Sequence, residues 1–104
     1  MNTNEKWADY GISEVSYNSV AGHIDRLLVH EDLGDKIGVG VIKTKGNVIS
    51  EIEEGLQFVT ITKNLKNSWI KGQPVKVAEI NGVKYLKTER NYSEADNLES
   101  LPEF

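Results

Sequence analysis

Short stretches of alternating apolar and polar residues recur along this chain, and a period of two is typical of β-strands. They predict strands over residues 12–18, 23–30, 37–42, 58–62 and 75–80, with a sixth around Tyr85 and Leu86. Between the last two strands, Asn81-Gly82 favours a type I′ turn, which closes a two-residue hairpin. Residues 63–74 lack the alternation and are expected to form a loop.

Residues 44–54 carry the one good helical pattern. Val48, Ile49 and Ile52 fall on one helical face, Thr44 can serve as the N-cap, and Gly55 suits the position after the last turn. The order of three strands, a helix and three strands predicts an α+β domain, a mostly antiparallel twisted sheet of about six strands covered by one helix. We expect one shared interior that buries Ile24, Leu28, Val39, Val41, Ile52, Phe58, Ile61 and Val77.

The chain divides into three parts by composition. Residues 1–11 are expected to be a flexible N-terminal arm, residues 12–90 the α+β domain, and residues 91–104 an acidic C-terminal tail. Leu98, Leu101 and Phe104 recur every three residues, so we expect the tail to dock on the domain through them.

Composition narrows the class of protein. A length of 104 residues indicates a single domain, and the absence of Cys excludes disulfides and thiolate metal sites. No apolar stretch approaches the ~20 residues that a membrane-spanning helix needs. The first residues lack the basic start and apolar run of a signal peptide, so we expect a cytoplasmic protein without membrane association.

Catalytic and metal-binding patterns are not evident in the sequence. His23 and His30 are seven residues apart, which puts them on opposite faces of a regular strand, so they are not expected to share a metal. The expected role is a strand-end histidine bonded to the turn at Glu31 and Asp32. No Ser or Thr lies in a nucleophile motif, and we expect neither an enzyme nor a cofactor.

The charge is unevenly distributed, although the net charge of −4 gives a pI near 5.1. Residues 43–90 hold nine bases and five acids, whereas residues 91–104 hold four acids and no base. Positive charge beside an aromatic ring is the combination that protein and nucleic-acid contacts both use. The candidate contact residues are therefore Trp69, Lys63, Lys66, Lys71, Lys76, Lys84 and Lys87.

The functional hypothesis is a small binding or interaction module without catalysis, whose partner is an acidic protein. The alternative is a nucleic-acid-binding protein that uses the basic region of residues 63–90, although the acidic pI disfavours it. A small enzyme or metal-binding protein comes third. The basic region also has the option of pairing with the acidic tail of the same chain.

Several segments resemble a small bacterial family that is catalogued as domain of unknown function 3892. They are IDRLLVHED from Ile24, VISEIEEG from Val48, residues 58–62, WIKG from Trp69, YLKT from Tyr85, DNL from Asp96 and the pair Leu101-Pro102. The resemblance covers about residues 12–104. It implies a short, stand-alone bacterial or phage-borne domain and supplies no activity, substrate or catalytic residue.

Overall fold

The computed structural model describes residues 6–18, 23–88, 95–98 and 101–104. Three sequence predictions lie partly outside these ranges. They concern the first half of the N-terminal arm, Arg90 in the basic region, and residues 91–94 and 99–100 of the acidic tail.

Five strands form the larger sheet of the described structure. They are β1 (Tyr10–Tyr17), β2 (Ile24–Asp32), β3 (Ile37–Thr44), β4 (Phe58–Lys63) and β5 (Trp69–Pro74), arranged in the order β3-β2-β1-β4-β5. β1 and β4 are parallel, and the other neighbours are antiparallel. The parallel pair arises because the chain leaves the sheet after β3 and returns on the far side of β1.

A helix and a hairpin complete the fold. The helix α1 (Lys45–Glu53) begins after Thr44, whose side chain accepts a hydrogen bond from the backbone N–H of Asn47. The hairpin pairs β6 (Lys76–Ile80) with β7 (Val83–Lys87) through Asn81 and Gly82, both at positive φ as a type I′ turn requires. The predicted helix, its cap, the hairpin turn and the α+β class are confirmed.

The sheet arrangement differs from the prediction in two respects. The described residues contain seven strands rather than six, because β5 forms within the predicted loop. The β6–β7 hairpin also forms a sheet of its own. β5 pairs with β4 because the side-chain oxygen of Asn64 accepts the backbone N–H groups of Lys66 and Ser68, which closes a tight turn.

The core has two parts, one on each face of the five-stranded sheet. The larger cluster brings Val48 of α1 and Leu86 of β7 against residues of β1, β2 and β4, so the helix and the hairpin cover this face. The smaller cluster consists of Ala8, Val59 and Ile61, with Ile37 and Trp69 packed against it. β4 is therefore buried on both faces, since Phe58 belongs to the larger cluster and Ile61 to the smaller.

The predicted core is correct in part. Ile24, Phe58 and Ile61 are buried, while Leu28, Ile52 and Val77 are partly buried. The prediction was wrong for Val39 and Val41, which are 89% and 58% exposed, and for a single shared interior. Alternation shows which side chains share a face, but β3 is an edge strand and its apolar face is left largely uncovered.

The chain ends are held against the domain where they are described. The carboxylate of Asp32 accepts the backbone N–H of Trp7, and Ala8 is buried. Near the C-terminus, Leu98 and Leu101 are buried, whereas Phe104 is 44% exposed. Residues 102–104 extend the sheet, because Val15 of β1 exchanges backbone hydrogen bonds with Pro102 and Phe104.

Asp96 connects the tail to three elements. Its carboxylate accepts the backbone N–H of Ile24 at 2.6 Å, the backbone N–H of Leu86 at 2.8 Å and the ammonium of Lys45 at 2.8 Å. These donors belong to the first residue of β2, to β7 and to the first residue of α1. The Asp96 side chain is fully buried, so these bonds replace its contacts with water.

We predict that Asp96→Asn destabilises the domain by about 2–4 kcal/mol, because an amide cannot accept from three donors and leaves buried N–H groups unpaired. Asp25→Asn is the matched control, because Asp25 is exposed and 3.6 Å from Arg26, and it should cost less than ~1 kcal/mol. Urea unfolding followed by Trp fluorescence measures both values. Equal costs would contradict the role given to Asp96.

We predict opposite effects for alanine at two glycines. A Cβ on Gly72 would lie 2.8 Å from the backbone oxygen of Thr60, so Gly72→Ala should cost about 1–3 kcal/mol. A Cβ on Gly46 of α1 would meet nothing closer than 3.9 Å, so Gly46→Ala should stabilise by up to ~1 kcal/mol. Thermal melts of the two variants give the comparison, and a neutral Gly72→Ala would be inconsistent with the close packing of β4 on β5.

Candidate functional site

The β4–β5 hairpin brings four of the predicted contact residues together. Lys63 is paired with Trp69 and Ile61 with Lys71, and residues paired directly across a ladder share a face. Lys66 lies in the turn that Asn64 closes, and all three lysines are exposed. We call Lys63, Lys66, Trp69 and Lys71 the hairpin lysine surface.

Trp69 is anchored in this surface rather than freely projecting. Its ring is half-buried against the smaller core cluster and lies 5.0 Å from the ring of His30, measured between centroids. The ammonium of Lys63 lies 4.7 Å from the centre of the indole ring, in cation–π contact. The aromatic ring is therefore held in place by contacts with the smaller cluster, with His30 and with Lys63.

Two concavities flank Trp69. The larger, of about 510 Å³, is lined by Trp69 and by residues of β1, β2, β4 and the tail: Ser13, Glu14, Leu28, His30, Ile61, Thr62, Lys63 and Pro102. The smaller, of about 240 Å³, lies between Trp7 and Trp69 beside the turn that joins β2 and β3. The hairpin lysine surface thus adjoins openings that can accept side chains of a partner.

The other three predicted contact residues lie in the second sheet. Lys76 is exposed, but Lys87 is only 1% exposed and does not contribute to an open surface. Lys84 is 2.6 Å from the carboxylate of Glu53 on α1, and this hydrogen bond, followed by the charge of Glu53, raises the pKa of Lys84. Lys84 and Lys87 also point to opposite faces of β7, because they are three residues apart.

The histidines differ from their predicted role. His30 does not bond the Glu31–Asp32 turn, because its ring nitrogens contact the hydroxyl of Ser13 and the backbone oxygen of Gly38. His23 lies 5.7 Å from the ring of Tyr85, between centroids. Among the described residues, no group of three or more His, Asp or Glu side chains is arranged to hold a metal ion.

The Ser13–His30 contact is the feature that the sequence analysis missed. Ser13 lies in β1 and His30 in β2, 17 positions apart, and no local motif joins them. Only the pairing of β1 with β2 brings them together. The sequence shows a polar residue in each of the two strands, but it does not show the register with which the strands pair.

The structure defines a small α+β domain with a five-stranded mixed sheet, one covering helix and a separate hairpin. By sequence the chain belongs to the family described as protein of unknown function DUF3892, whose model matches residues 11–102. Neither the comparison with curated proteins nor the comparison with solved structures gave a significant match. Within the described residues, no helix has the length and apolar character needed to cross a membrane.

We predict that Trp69→Ala lowers the free energy of unfolding by about 1–3 kcal/mol, since the ring is only partly buried but packs on Ile61 and His30. Trp7→Ala is the control, because Trp7 is more exposed, and its cost should be smaller. Urea titrations followed by circular dichroism avoid dependence on Trp emission. A loss above ~4 kcal/mol for Trp69→Ala would make this residue part of the core rather than of a contact surface.

Proposed function

We propose that this chain is a binding module that recognises an acidic segment of another protein through the hairpin lysine surface. The observation that carries the proposal is a contrast between two groups of lysines. Lys43, Lys45 and Lys84 are each within 2.8 Å of a carboxylate. In the part of the chain that the structure describes, Lys63, Lys66 and Lys71 have no carboxylate within ion-pair distance.

The fully buried carboxylate of the tail, that of Asp96, does not contact the hairpin lysine surface. Asp96 is bonded to Lys45, and the described tail residues 102–104 lie along β1 rather than over the hairpin. As far as the described residues show, the charges of Lys63, Lys66 and Lys71 are available to a partner that carries carboxylates. Such complementary charges chiefly accelerate association and select the partner, while an aromatic anchor supplies much of the affinity.

The backbone of β5 adds a second mode of contact. β5 is an edge strand of the five-stranded sheet, so one side of its backbone is not paired within that sheet. An extended peptide can add to such an edge by main-chain hydrogen bonds, with alternate side chains directed to pockets. Alternate side chains of such a peptide would lie on the face that carries Lys71 and Trp69, while the 510 Å³ concavity lies further in, over β1, β2 and β4.

A protein partner is favoured over nucleic acid by the overall charge. The net charge of −4 repels any polyanion at long range, and this repulsion grows with the number of charges on the ligand, so a short acidic segment is less disfavoured than a nucleic acid. Nucleic acid remains an outcome that the experiment distinguishes, because its binding falls steeply with salt through counterion release.

We predict that Lys66→Gln with Lys71→Gln weakens binding of a Glu-rich peptide of about eight residues by about fivefold or more. Arg26→Gln with Lys76→Gln is the matched control, since it removes two exposed positive charges outside the surface and should leave the affinity within about twofold. The Trp69 emission in a Trp7→Phe background reports binding directly.

The same titration is repeated with an oligothymidylate of about eight nucleotides at ~50 and ~200 mM salt. Tighter binding of the oligonucleotide, with a steep loss at the higher salt, would replace the protein partner by nucleic acid. Equal weakening by the two double variants would show that net charge alone is responsible, and the hairpin lysine surface would then not be the binding site.

A further inference from the structure

A β-bulge directs Ser13 toward β2. In the ladder between β1 and β2, Ile12 is paired with Val29 and Glu14 with Leu28, so Ser13 is the extra residue between two regular pairs. Bulges of this kind re-aim a side chain and are frequent beside active sites. Ser13 is buried, and its hydroxyl oxygen lies 2.7 Å from Nε2 of His30.

The hydrogen bonds of His30 define which ring nitrogen carries the proton. Nδ1 lies 2.9 Å from the backbone oxygen of Gly38, and a carbonyl oxygen can only accept, so Nδ1–H is the donor. In the neutral imidazole, Nε2 then has a free lone pair and accepts the hydroxyl proton of Ser13. This is the tautomer that a histidine needs to act as a base toward a serine.

The imidazole ring is also held in orientation by its neighbours. Gly40 is paired with His30, and a Cβ at Gly40 would lie 3.0 Å from Cε1 of the ring, which is closer than side chains normally allow. The indole of Trp69 packs at 5.0 Å between centroids. The missing side chain at Gly40 thus provides the space that the ring occupies.

Both residues line the 510 Å³ concavity, which opens where β1 changes partner. The pairing of β1 with β4 ends at Ile12 opposite Thr60, and the tail takes up the same edge at Val15. Residues 13 and 14 lie between these two pairings, so Ser13 borders an opening. Leu28, Ile61 and Pro102 provide apolar walls, and Glu14 and Lys63 are the charged residues of the lining.

We propose that Ser13 is a nucleophile activated by His30, and that the concavity accepts a small ester. Ser13 Oγ forms a bond to the acyl carbon while its proton passes to His30 Nε2. The ester C–O bond then breaks, and the leaving oxygen takes that proton as an alcohol. Water releases the acyl group as a carboxylic acid by the same two proton transfers, which restores Ser13 and His30.

The walls of the concavity indicate the class of ester. Apolar side chains on its sides suit a short acyl or aryl group, and a volume of about 510 Å³ admits a molecule of that size. Lys63 is the cationic residue of the lining and can stabilise negative charge on the carbonyl oxygen, while Glu14 adds one carboxylate to the same lining. The inference shares Lys63, Trp69 and the concavity with the proposed binding function, but it rests on the Ser13–His30 pair, which that function does not use.

A fluorophosphonate reagent tests the proposal on the unaltered protein. Attack by an activated serine forms a P–O bond and expels fluoride, so intact mass and peptide mapping identify the labelled residue. We expect single labelling at Ser13, and slow release of p-nitrophenol from p-nitrophenyl acetate that Ser13→Ala abolishes. No label, or label on another hydroxyl, would overturn the proposal without any variant.

Three variants separate activation from simple exposure. His30→Gln keeps a group able to hydrogen-bond Ser13 but removes the base, and should slow labelling by about 100-fold or more. Gly40→Ala should also slow labelling by displacing the ring, whereas Ser16→Ala on the same strand should leave it unchanged. Circular dichroism checks that each variant is folded. Equal labelling rates in the native protein and His30→Gln would show that the Ser13–His30 bond has only a packing role.

Discussion

The arrangement of this domain depends on the three hydrogen bonds that the carboxylate of Asp96 accepts. The five-stranded sheet and the β6–β7 hairpin share no backbone ladder, and Asp96 joins them by accepting from Ile24 of one and Leu86 of the other. Its third donor, Lys45, fixes the start of α1. A buried carboxylate is costly without such partners, so the tail cannot leave without exposing both the charge and the two N–H groups. The burial of Leu98 beside it adds an apolar contribution to the same attachment.

The attached tail in turn shapes the larger concavity. One edge of β1 pairs with two different segments. It pairs with β4 up to Ile12 and with residues 102–104 at Val15. The two residues between them are left beside an opening, and the bulge at Ser13 occurs there. Pro102 is both part of the tail and part of the wall of the concavity. The same attachment that stabilises the domain therefore contributes to the shape of its candidate site.

Local patterns predicted the elements well and their assembly poorly. Thr44 and Asn81-Gly82 act within a few residues, so the helix start and the hairpin turn could be predicted from the sequence. β5 could not, because Gly72 and Pro74 interrupt its alternation, and its pairing needs the Asn64 turn and the bond from the Gln73 backbone to Thr60. Lys63, Trp69 and Lys71 were predicted as contact residues. The β4–β5 register puts them on one face of the sheet, while their role in contacts stays a prediction. The burial of Lys87 and the Ser13–His30 contact depend on partners distant in sequence, which no local pattern contains.

The two candidate features lie on the same face of the sheet for a physical reason. α1 and the β6–β7 hairpin close one face over the larger cluster, where a polar group would need a buried partner. Among the described residues, the opposite face carries the smaller cluster of Ala8, Val59 and Ile61, and the two concavities beside Trp69 open on it. Trp69 packs against this cluster and also touches His30 and Lys63, so it joins the apolar patch to the polar groups around it. A ligand that displaces water from this face would therefore contact the indole, the lysine and the Ser13–His30 pair together, and charge and apolar contact would act on it at the same place.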